Sequence, residues 1–230
     1  ADERGLDEGL RKIVLARTLA VDAAAPIALD RLLSRLTEDM AATAYQVALP
    51  DRDGRHGRML VGATPELLVE KSGRRVSSFP LAGSARRQLD PVADAEAAGG
   101  LAGSEKDRRE HAMVVEYILD TLQPYCRELS CPKGTGLTST ASMWHLGTRI
   151  VGRLRDPETC CATLLAALHP TPAICGTPRD AAKAALPGLE GYDRGFYSGA
   201  VGWLEPSGDG CWYIALRCAE VAGDEARLYA

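Results

Sequence analysis

The segment AYQVALPDRDGRHGRMLVGATPELLVEKSGRRVSSFPLAG, residues 44–83, alternates apolar runs with turn-forming residues. The runs AYQVAL, RMLVGA, ELLVEK and RRVSSFPLAG each predict a short strand. They are separated by PDRDGRHG, TP and KSG, whose Pro, Gly and Asp residues favour turns. Consecutive short strands joined by tight turns indicate antiparallel pairing.

Further strands and helices are predicted on both sides of this segment. The predicted strands are 12–21 (KIVLARTLAV), 145–154, 198–205 (SGAVGWLE) and 211–221 (CWYIALRCAEV), the last two flanking the hairpin sequence PSGDG. The predicted helices are 26–40, 91–100, 105–129, 157–168 and 179–186. We therefore expect an α+β fold in one domain, with large, mostly antiparallel β-sheets and helices packed outside them.

Composition restricts the class of partner. The 230 residues are 46% apolar, enough for a sizeable core, and 27 basic against 31 acidic residues give a net charge of -4. This balance favours a small-molecule ligand over nucleic acid or an anionic membrane. Seven cysteines, an odd number, suggest reduced thiols. The sequence shows neither a long apolar run nor a signal-like start, and we therefore expect a cytoplasmic protein. We also expect a monomer.

The stretch SEKDRREHAMVVEY, residues 104–117, combines a charge cluster with a helical apolar pattern. On a helical wheel, His111 lies near the middle of the apolar arc, whereas Asp107 and Glu110 lie at its border. The arc itself comprises Val114, Val115, Ile118, Leu119 and Leu122. The two border acids either pair with neighbouring Arg or Lys residues or serve a hard cation such as Mg²⁺. Periodicity does not choose between these interpretations.

Other candidate residues also admit two interpretations. Gly83 and Ser84 in FPLAGSARR lie either in an ordinary strand end or in a turn that approaches a carboxylate. HPTPAICGTPRDAA, residues 169–182, is either a stiff connector or part of a site. Arg217 is placed in an apolar strand, where a guanidinium needs either a salt bridge or an anionic ligand.

Lys12 and Glu66 lie at the starts of two predicted strands. Taken singly, each is typical of a charged residue at the protein surface. Together, a lysine and a glutamic acid can act as general base and general acid if burial shifts their pKa values toward neutrality. The sequence does not show whether they face each other.

Eight segments, taken in order from residue 12 onward, resemble the motifs of the chorismate-utilising enzymes, and most closely those of isochorismate synthases from siderophore pathways. They are KIVLART, GATPELLVE, FPLAGSARR, SEKDRREHAMVVEYI, MWHLGTRI, LHPTPAICGTP, RGFYSGAVGW and YIALRC. The resemblance implies that residues 1–230 form a chorismate-binding catalytic domain whose sheets enclose a Mg²⁺ site. It also implies conversion of chorismate to isochorismate, by water addition at C2 with loss of the C4 hydroxyl.

The resemblance assigns the catalytic and metal-binding roles to particular residues. Lys12 would activate water, Glu66 would protonate the leaving hydroxyl, and His145 would lie over the reacting ring. Ammonia-using members usually carry glutamine at the position of Lys12, so the lysine points to water. Glu110 would bind Mg²⁺, with Asp107 in its outer shell.

The resemblance also implies a set of substrate-binding residues: Gly83, Ser84, Ala173, Tyr197, Leu216 and Arg217. Gly83 and Ser84 would contact the ring carboxylate, while Tyr197 and Arg217 would clamp the enolpyruvyl carboxylate. Members that go on to eliminate pyruvate tend to have threonine where this chain has Ala173, which favours an enzyme that stops at isochorismate.

Members of the family are longer at both ends, and the resemblance implies that a glycine-rich GAGIV segment and a helix bearing a second Mg²⁺ carboxylate follow residue 230. Two alternatives remain at this stage. One is a salicylate synthase, and the other is a non-catalytic chorismate-binding protein.

Overall fold

A computed structural model describes residues 9–52 and 54–230. Within these residues the chain forms five helices and sixteen strands. The helices are α1 (Leu29–Leu36), α2 (Pro91–Gly103), α3 (Glu105–Leu122), α4 (Cys161–Leu168) and α5 (Arg179–Glu190). The strands are β1 (Lys12–Ile13), β2 (Thr18–Asp22), β3 (Thr43–Ala48), β4 (Met59–Thr64), β5 (Leu67–Ser72), β6 (Arg75–Phe79), β7 (Leu81–Arg86), β8 (Cys126–Ser130), β9 (Thr135–Ser139), β10 (Met143–Thr148), β11 (Ile150–Leu154), β12 (Gly176–Thr177), β13 (Ala200–Leu204), β14 (Gly210–Ile214), β15 (Cys218–Ala222) and β16 (Glu225–Tyr229).

The strands form two large antiparallel sheets and two small ones. The six-stranded sheet has the order β13-β14-β5-β6-β11-β8, and the five-stranded sheet has the order β2-β16-β15-β4-β3. The smaller sheets are β7-β10-β9 and the pair β1-β12. The expected α+β class with antiparallel sheets is confirmed, although the strands of residues 43–86 are distributed over three sheets.

Helix α3 carries much of the main core. Its side chains His111, Val114, Ile118 and Leu122 are buried, as the helical wheel predicts. Helix α4 packs against α3 and against β5 of the six-stranded sheet, and the three elements enclose one apolar cluster. At the N-terminus of α3, the Ser104 hydroxyl accepts a hydrogen bond from the Asp107 backbone N–H, at 3.2 Å. Helix α3 also packs against β7.

Several predicted elements have different bounds. The helix predicted to reach residue 129 ends at Leu122, because Pro124 has no backbone N–H with which to continue the helical hydrogen bonds, and β8 follows. Strand β9 was not predicted. The strand predicted over 74–83 is interrupted at Pro80, and the one over 145–154 is interrupted at Arg149. Helix α1 is shorter than the predicted 26–40, whereas α2 and α5 extend beyond their predicted ends. Helix α4 begins four residues later than predicted, after a turn at Asp156.

Two predicted strands each divide between sheets. The run 12–21 becomes β1, paired with β12, and β2, at the edge of the five-stranded sheet. The run 211–221 becomes β14 in the six-stranded sheet and β15 in the five-stranded sheet, so Arg217 lies in the connection rather than within a strand. The backbone of Arg217 has φ 49°, a left-handed conformation that a continuing strand does not allow. These connections bring polar side chains to the place where the sheets meet.

Of the helices in the described ranges, none combines the length and the apolar character needed to cross a membrane.

Candidate active site

A cavity of about 680 Å³ lies between β1, β7, β10 and the connection from β14 to β15. Ten of the eleven residues predicted for the site line it: Lys12, Glu66, Gly83, Ser84, Glu110, His145, Ala173, Tyr197, Leu216 and Arg217. The eleventh, Asp107, is not among the lining residues. Residues from all eight motifs therefore meet in one place.

Lys12 is held at the cavity by the short pair of strands β1 and β12. Lys12 lies opposite Thr177 and Ile13 opposite Gly176, and the Val14 N–H donates to the Cys175 carbonyl at 2.9 Å. Gly176 has φ 142°, and a Cβ there would lie 2.2 Å from the Lys12 carbonyl oxygen. Only glycine lets the two backbones approach this closely. Gly176 thus positions Lys12, a role that its place in the proline-rich turn did not reveal.

Burial shifts the pKa values of Lys12 and Glu66 in opposite directions. Glu66 is 4% exposed, and burial raises its pKa from 4.5 to about 8, against opposing effects of a Leu81 backbone hydrogen bond and of Lys12. Partial burial lowers the pKa of Lys12, although Glu110 and Glu66 oppose the shift. Desolvation thus exceeds the attraction between the two groups. The Glu66 carboxyl therefore keeps its proton at neutral pH, and Lys12 gives up its proton more readily than a lysine in water, which suits an acid and a base.

Arg217, His145 and Ser84 form a hydrogen-bonded chain along the cavity. The Arg217 guanidinium donates to Nε2 of His145, so this nitrogen is the acceptor and Nδ1 carries the proton. Nδ1 of His145 lies 2.8 Å from the Ser84 hydroxyl, to which it donates. Burial and the nearby Arg217 charge lower the pKa of His145 to about 4, and the ring is therefore neutral at pH 7. His145 orients Arg217 and Ser84 in this arrangement.

Arg217 presents an uncompensated positive charge to the cavity. Its Nη1 donates to the Thr140 hydroxyl at 2.9 Å, and the described residues include no carboxylate within salt-bridge distance of it. Burial lowers its pKa, with Asp39 and Glu66 opposing from longer range. The salt-bridge interpretation is therefore not supported within the described residues. A partly buried guanidinium without a paired carboxylate is suited to an anionic ligand.

The left-handed turn at Arg217 is supported by the five-stranded sheet. The Tyr45 hydroxyl donates to the Leu216 carbonyl at 3.0 Å, and the Ala63 N–H donates to the Arg217 carbonyl at 3.3 Å. These bonds hold the strained backbone so that Arg217 points along the cavity wall.

Tyr229 lines the cavity but was not predicted. Its ring stacks on Tyr197 with centroids 4.8 Å apart and planes within 7°. Its hydroxyl donates to Glu220 at 3.1 Å. Nothing in the run EARLY distinguishes this tyrosine, since its contact with Tyr197 arises only when β16 joins the sheet. The stacked pair gives one cavity wall a flat aromatic surface.

Glu110 is the carboxylate best suited to a metal ion. It lines the cavity, whereas Glu66 is largely protonated at neutral pH and hence a poor ligand. Lys106 lies 3.7 Å from Glu110 but is largely exposed, so the predicted pairing with a neighbouring base is weak. Across residues 9–52 and 54–230, no group of three or more His, Cys, Asp or Glu side chains is arranged to hold a metal. One hard oxygen donor fits Mg²⁺, which retains several waters.

Asp107 supports the site from behind the cavity wall. A Cβ at Gly83, whose φ is 78°, would lie 3.0 Å from Cβ of Asp107. The Gly83 backbone thus lies close to the Asp107 side chain, and glycine at position 83 allows β7 to lie against the start of α3. Asp107 stands behind Gly83 on the helix that carries Glu110, which accords with an outer position.

Comparison with known proteins identifies relatives of this arrangement. Residues 3–230 match the family model described as chorismate binding enzyme. The chain is 44% identical over 235 residues to isochorismate synthase DhbC of Bacillus subtilis (strain 168), covering 99% of this chain and 59% of that protein. It is 41% identical to isochorismate synthase EntC of Escherichia coli (strain K12), covering 95% of this chain and 55% of that protein.

The fold is shared with a solved structure. The crystal structure of a putative 2,3-dihydroxybenzoate-specific isochorismate synthase, DhbC from Bacillus anthracis, superposes with a TM-score of 0.93 at 44% identity. The superposition covers 96% of this chain and 59% of that one. The chain therefore spans a little over half the length of these three relatives.

Proposed function

The chain belongs to the chorismate-binding enzyme family, and from this premise we propose that the protein is a Mg²⁺-dependent isochorismate synthase. The substrate would be chorismate, and the product would supply a siderophore pathway through 2,3-dihydroxybenzoate or salicylate. Support for the pathway comes from relatives whose names include 2,3-dihydroxybenzoate-specific and vibriobactin-specific isochorismate synthases.

The observation that carries this proposal is the pair of oppositely shifted groups on the cavity wall. Lys12 has a lowered pKa and Glu66 a raised one, so the lysine can accept a proton and the carboxyl can donate one. Water addition at one ring carbon and hydroxide loss at another need these two roles together. A protein that only bound chorismate would gain nothing from burying a glutamic acid, because removing its carboxyl group from water costs free energy.

In the proposed reaction, Nζ of neutral Lys12 removes a proton from water as the water oxygen bonds to C2 of the ring. The ring double bonds shift, the C4–O bond breaks, and the Glu66 carboxyl gives its proton to the departing hydroxyl. One water enters and one leaves, so chorismate and isochorismate are isomers. Proton exchange with solvent after product release restores neutral Lys12 and protonated Glu66.

The other cavity residues would bind and orient the substrate. Chorismate carries two carboxylates, and Arg217 would pair with one of them while Ser84 and the Gly83 backbone contact the other. Leu216, Ala173 and the stacked Tyr197 would pack around the ring and enolpyruvyl group. Glu110 would hold Mg²⁺, which when bound neutralises carboxylate charge and so favours departure of the allylic hydroxyl.

The activity is tested by incubating the purified protein with chorismate and Mg²⁺ and identifying the products by chromatography. We expect isochorismate as the main product, without a requirement for ammonia. Salicylate with pyruvate as the main products would instead assign a salicylate synthase. Absence of turnover would support the non-catalytic chorismate-binding alternative and contradict the proposal.

Removing the proposed metal ligand gives a second prediction. In a Glu110→Gln variant, the Mg²⁺ concentration for half-maximal activity is expected to rise by roughly tenfold or more, because a neutral amide is a weak ligand for a hard cation. Titration of activity with MgCl₂ measures the effect. The matched control is Glu105→Gln, since Glu105 lies on the same helix but is exposed and pairs with Arg109. Equal Mg²⁺ requirements in the two variants would contradict the role of Glu110.

A further inference from the structure

Glu190 and Arg194 form a buried ion pair just outside the cavity. Glu190 is the last residue of α5, and its side chain is 2% exposed, against 15% for Arg194. The Arg194 guanidinium donates from Nε to Oε2 of Glu190 at 2.8 Å and from Nη2 to Oε1. Burying two opposite charges gains little net stability unless further hydrogen bonds satisfy them. The other hydrogen bonds that the two side chains make therefore bear on the role of the pair.

Those contacts reach the backbone just beyond β1, the strand that carries Lys12. Nη2 of Arg194 donates to the Val14 carbonyl at 2.7 Å, and Oε1 of Glu190 accepts the Ala16 N–H at 2.8 Å. Val14 is two residues from Lys12, whose strand β1 is only two residues long. The ion pair thus fixes the end of the short strand opposite to that held by Thr177.

The same pair reaches two further segments of the cavity wall. Nη1 of Arg194 donates to the Ile174 carbonyl at 2.7 Å, next to Ala173, and lies 3.3 Å from the Ser198 hydroxyl. The guanidinium carbon stands 6.0 Å from the centroid of the Tyr197 ring. Neither Glu190 nor Arg194 is among the residues that line the cavity.

We infer that Glu190 and Arg194, hereafter the clip, act as positioning residues that hold the Lys12, Ala173 and Tyr197 segments in one arrangement around the cavity. The clip touches none of the reacting atoms. It joins three stretches that are distant in sequence, and each stretch contributes a cavity residue at or next to the point of contact. This inference rests on the proposed function for its catalytic consequence, although not for the holding itself.

The clip is distinguished from an ordinary buried ion pair by a matched control. Lys71 and Asp209 also form an ion pair, with Nζ and Oδ1 2.7 Å apart; the Lys71 side chain is 2% exposed and that of Asp209 24%, and neither residue lines the cavity. Asp209 accepts the Gly73 N–H and fixes a turn of the six-stranded sheet. Glu190→Gln and Asp209→Asn are equivalent changes, since each replaces one carboxylate by its amide and leaves a buried cation without its counter-charge.

Hydrogen–deuterium exchange measured by mass spectrometry tests the holding role without reference to activity. In Glu190→Gln, peptides covering residues 13–17 and 174–177 are expected to exchange about tenfold faster or more, because local opening costs less free energy once the clip is weakened. In Asp209→Asn, exchange in these peptides is expected to match the parent protein. Unchanged exchange in Glu190→Gln would overturn the inference. If Glu190→Gln does not fold, Arg194→Lys provides the same comparison. This change keeps the positive charge but removes the guanidinium group that bonds both oxygens of Glu190.

Steady-state kinetics tests the catalytic consequence at a temperature where all variants are folded. We expect kcat of Glu190→Gln to fall about tenfold or more because the base is misplaced. KM for chorismate is expected to rise by a smaller factor, because the Ala173 and Tyr197 contacts are loosened while Arg217 and Ser84 lie on other elements. A loss of kcat no greater than in Asp209→Asn would overturn the inference. If the parent protein does not convert chorismate, the proposed function fails, and the exchange measurement still decides whether the clip holds these segments.

Discussion

Replacing Lys12 by glutamine is expected to lower kcat for isochorismate formation by about 10²–10⁴-fold, the usual contribution of a positioned acid–base group. The amide of glutamine is not basic, so it cannot take the proton from the attacking water. Lys12 suits that task because burial lowers its pKa and brings a larger fraction into the neutral form. The rate of isochorismate formation at saturating chorismate and Mg²⁺ measures the effect.

The matched control is Lys133→Gln, which removes the same charge from an exposed turn outside the cavity. We expect this variant to retain the parent kcat. Circular dichroism and the unfolding temperature establish that both variants are folded. Full activity in Lys12→Gln would refute Lys12 as the base and, with it, the mechanism proposed for water addition.

Replacing Glu66 by glutamine is expected to abolish the reaction and yet stabilise the protein at alkaline pH. The amide has no acidic proton for the departing hydroxyl, and kcat should fall by about 10²–10⁴-fold. The folded protein holds the Glu66 proton up to about pH 8, whereas the unfolded chain loses it near pH 4.5. Stability from this group therefore falls as pH rises through that window, by about 1.4 kcal/mol per pH unit.

The Glu66→Gln variant lacks this loss, so its unfolding temperature should exceed that of the parent at pH 8 and the difference should shrink toward pH 5. The control is Glu70→Gln, which changes an exposed glutamate on the adjoining strand β5. In the parent enzyme, kcat/KM should also decline above about pH 8 as Glu66 ionises. A Glu66→Gln variant that is less stable than the parent at pH 8 would contradict the buried, protonated state.

The sequence predicts the candidate site more completely than the fold. Helical periodicity places His111 and Ile118 in the core and Glu110 at its border, because the period of a helix depends on local geometry alone. Motif resemblance brings Lys12, Glu66 and Arg217 together, and all three line one cavity. Their catalytic and binding roles remain predictions, since the structure establishes their positions and pKa shifts rather than their chemistry.

The remaining features depend on contacts that no local pattern encodes. The run CWYIALRCAEV has strand character throughout, yet the chain changes sheets at Arg217 because the β4 backbone accepts β15 while β5 accepts β14. Tyr229 becomes a cavity residue only through stacking on Tyr197. The clip is equally hidden, since the hydrogen bond between Ala16 and Glu190 joins residues 174 positions apart. Propensity and periodicity report on residues that are close in sequence, whereas the residues in these contacts are close only in the folded structure.

The pairing of β1 with β12 has a consequence for how the molecule is assembled. Lys12 meets Thr177 only when a loop comprising most of the chain closes, whereas hairpins such as β3–β4 and β5–β6 need only short loops. Closing a long loop costs more chain entropy, and distant pairings form after local ones. The pairing that places Lys12 at the cavity is therefore expected to form late, as is the pairing of β2 with β16, which closes a still longer loop. The local hairpins of the two large sheets are thus expected to form before Lys12, the proposed base, reaches its place.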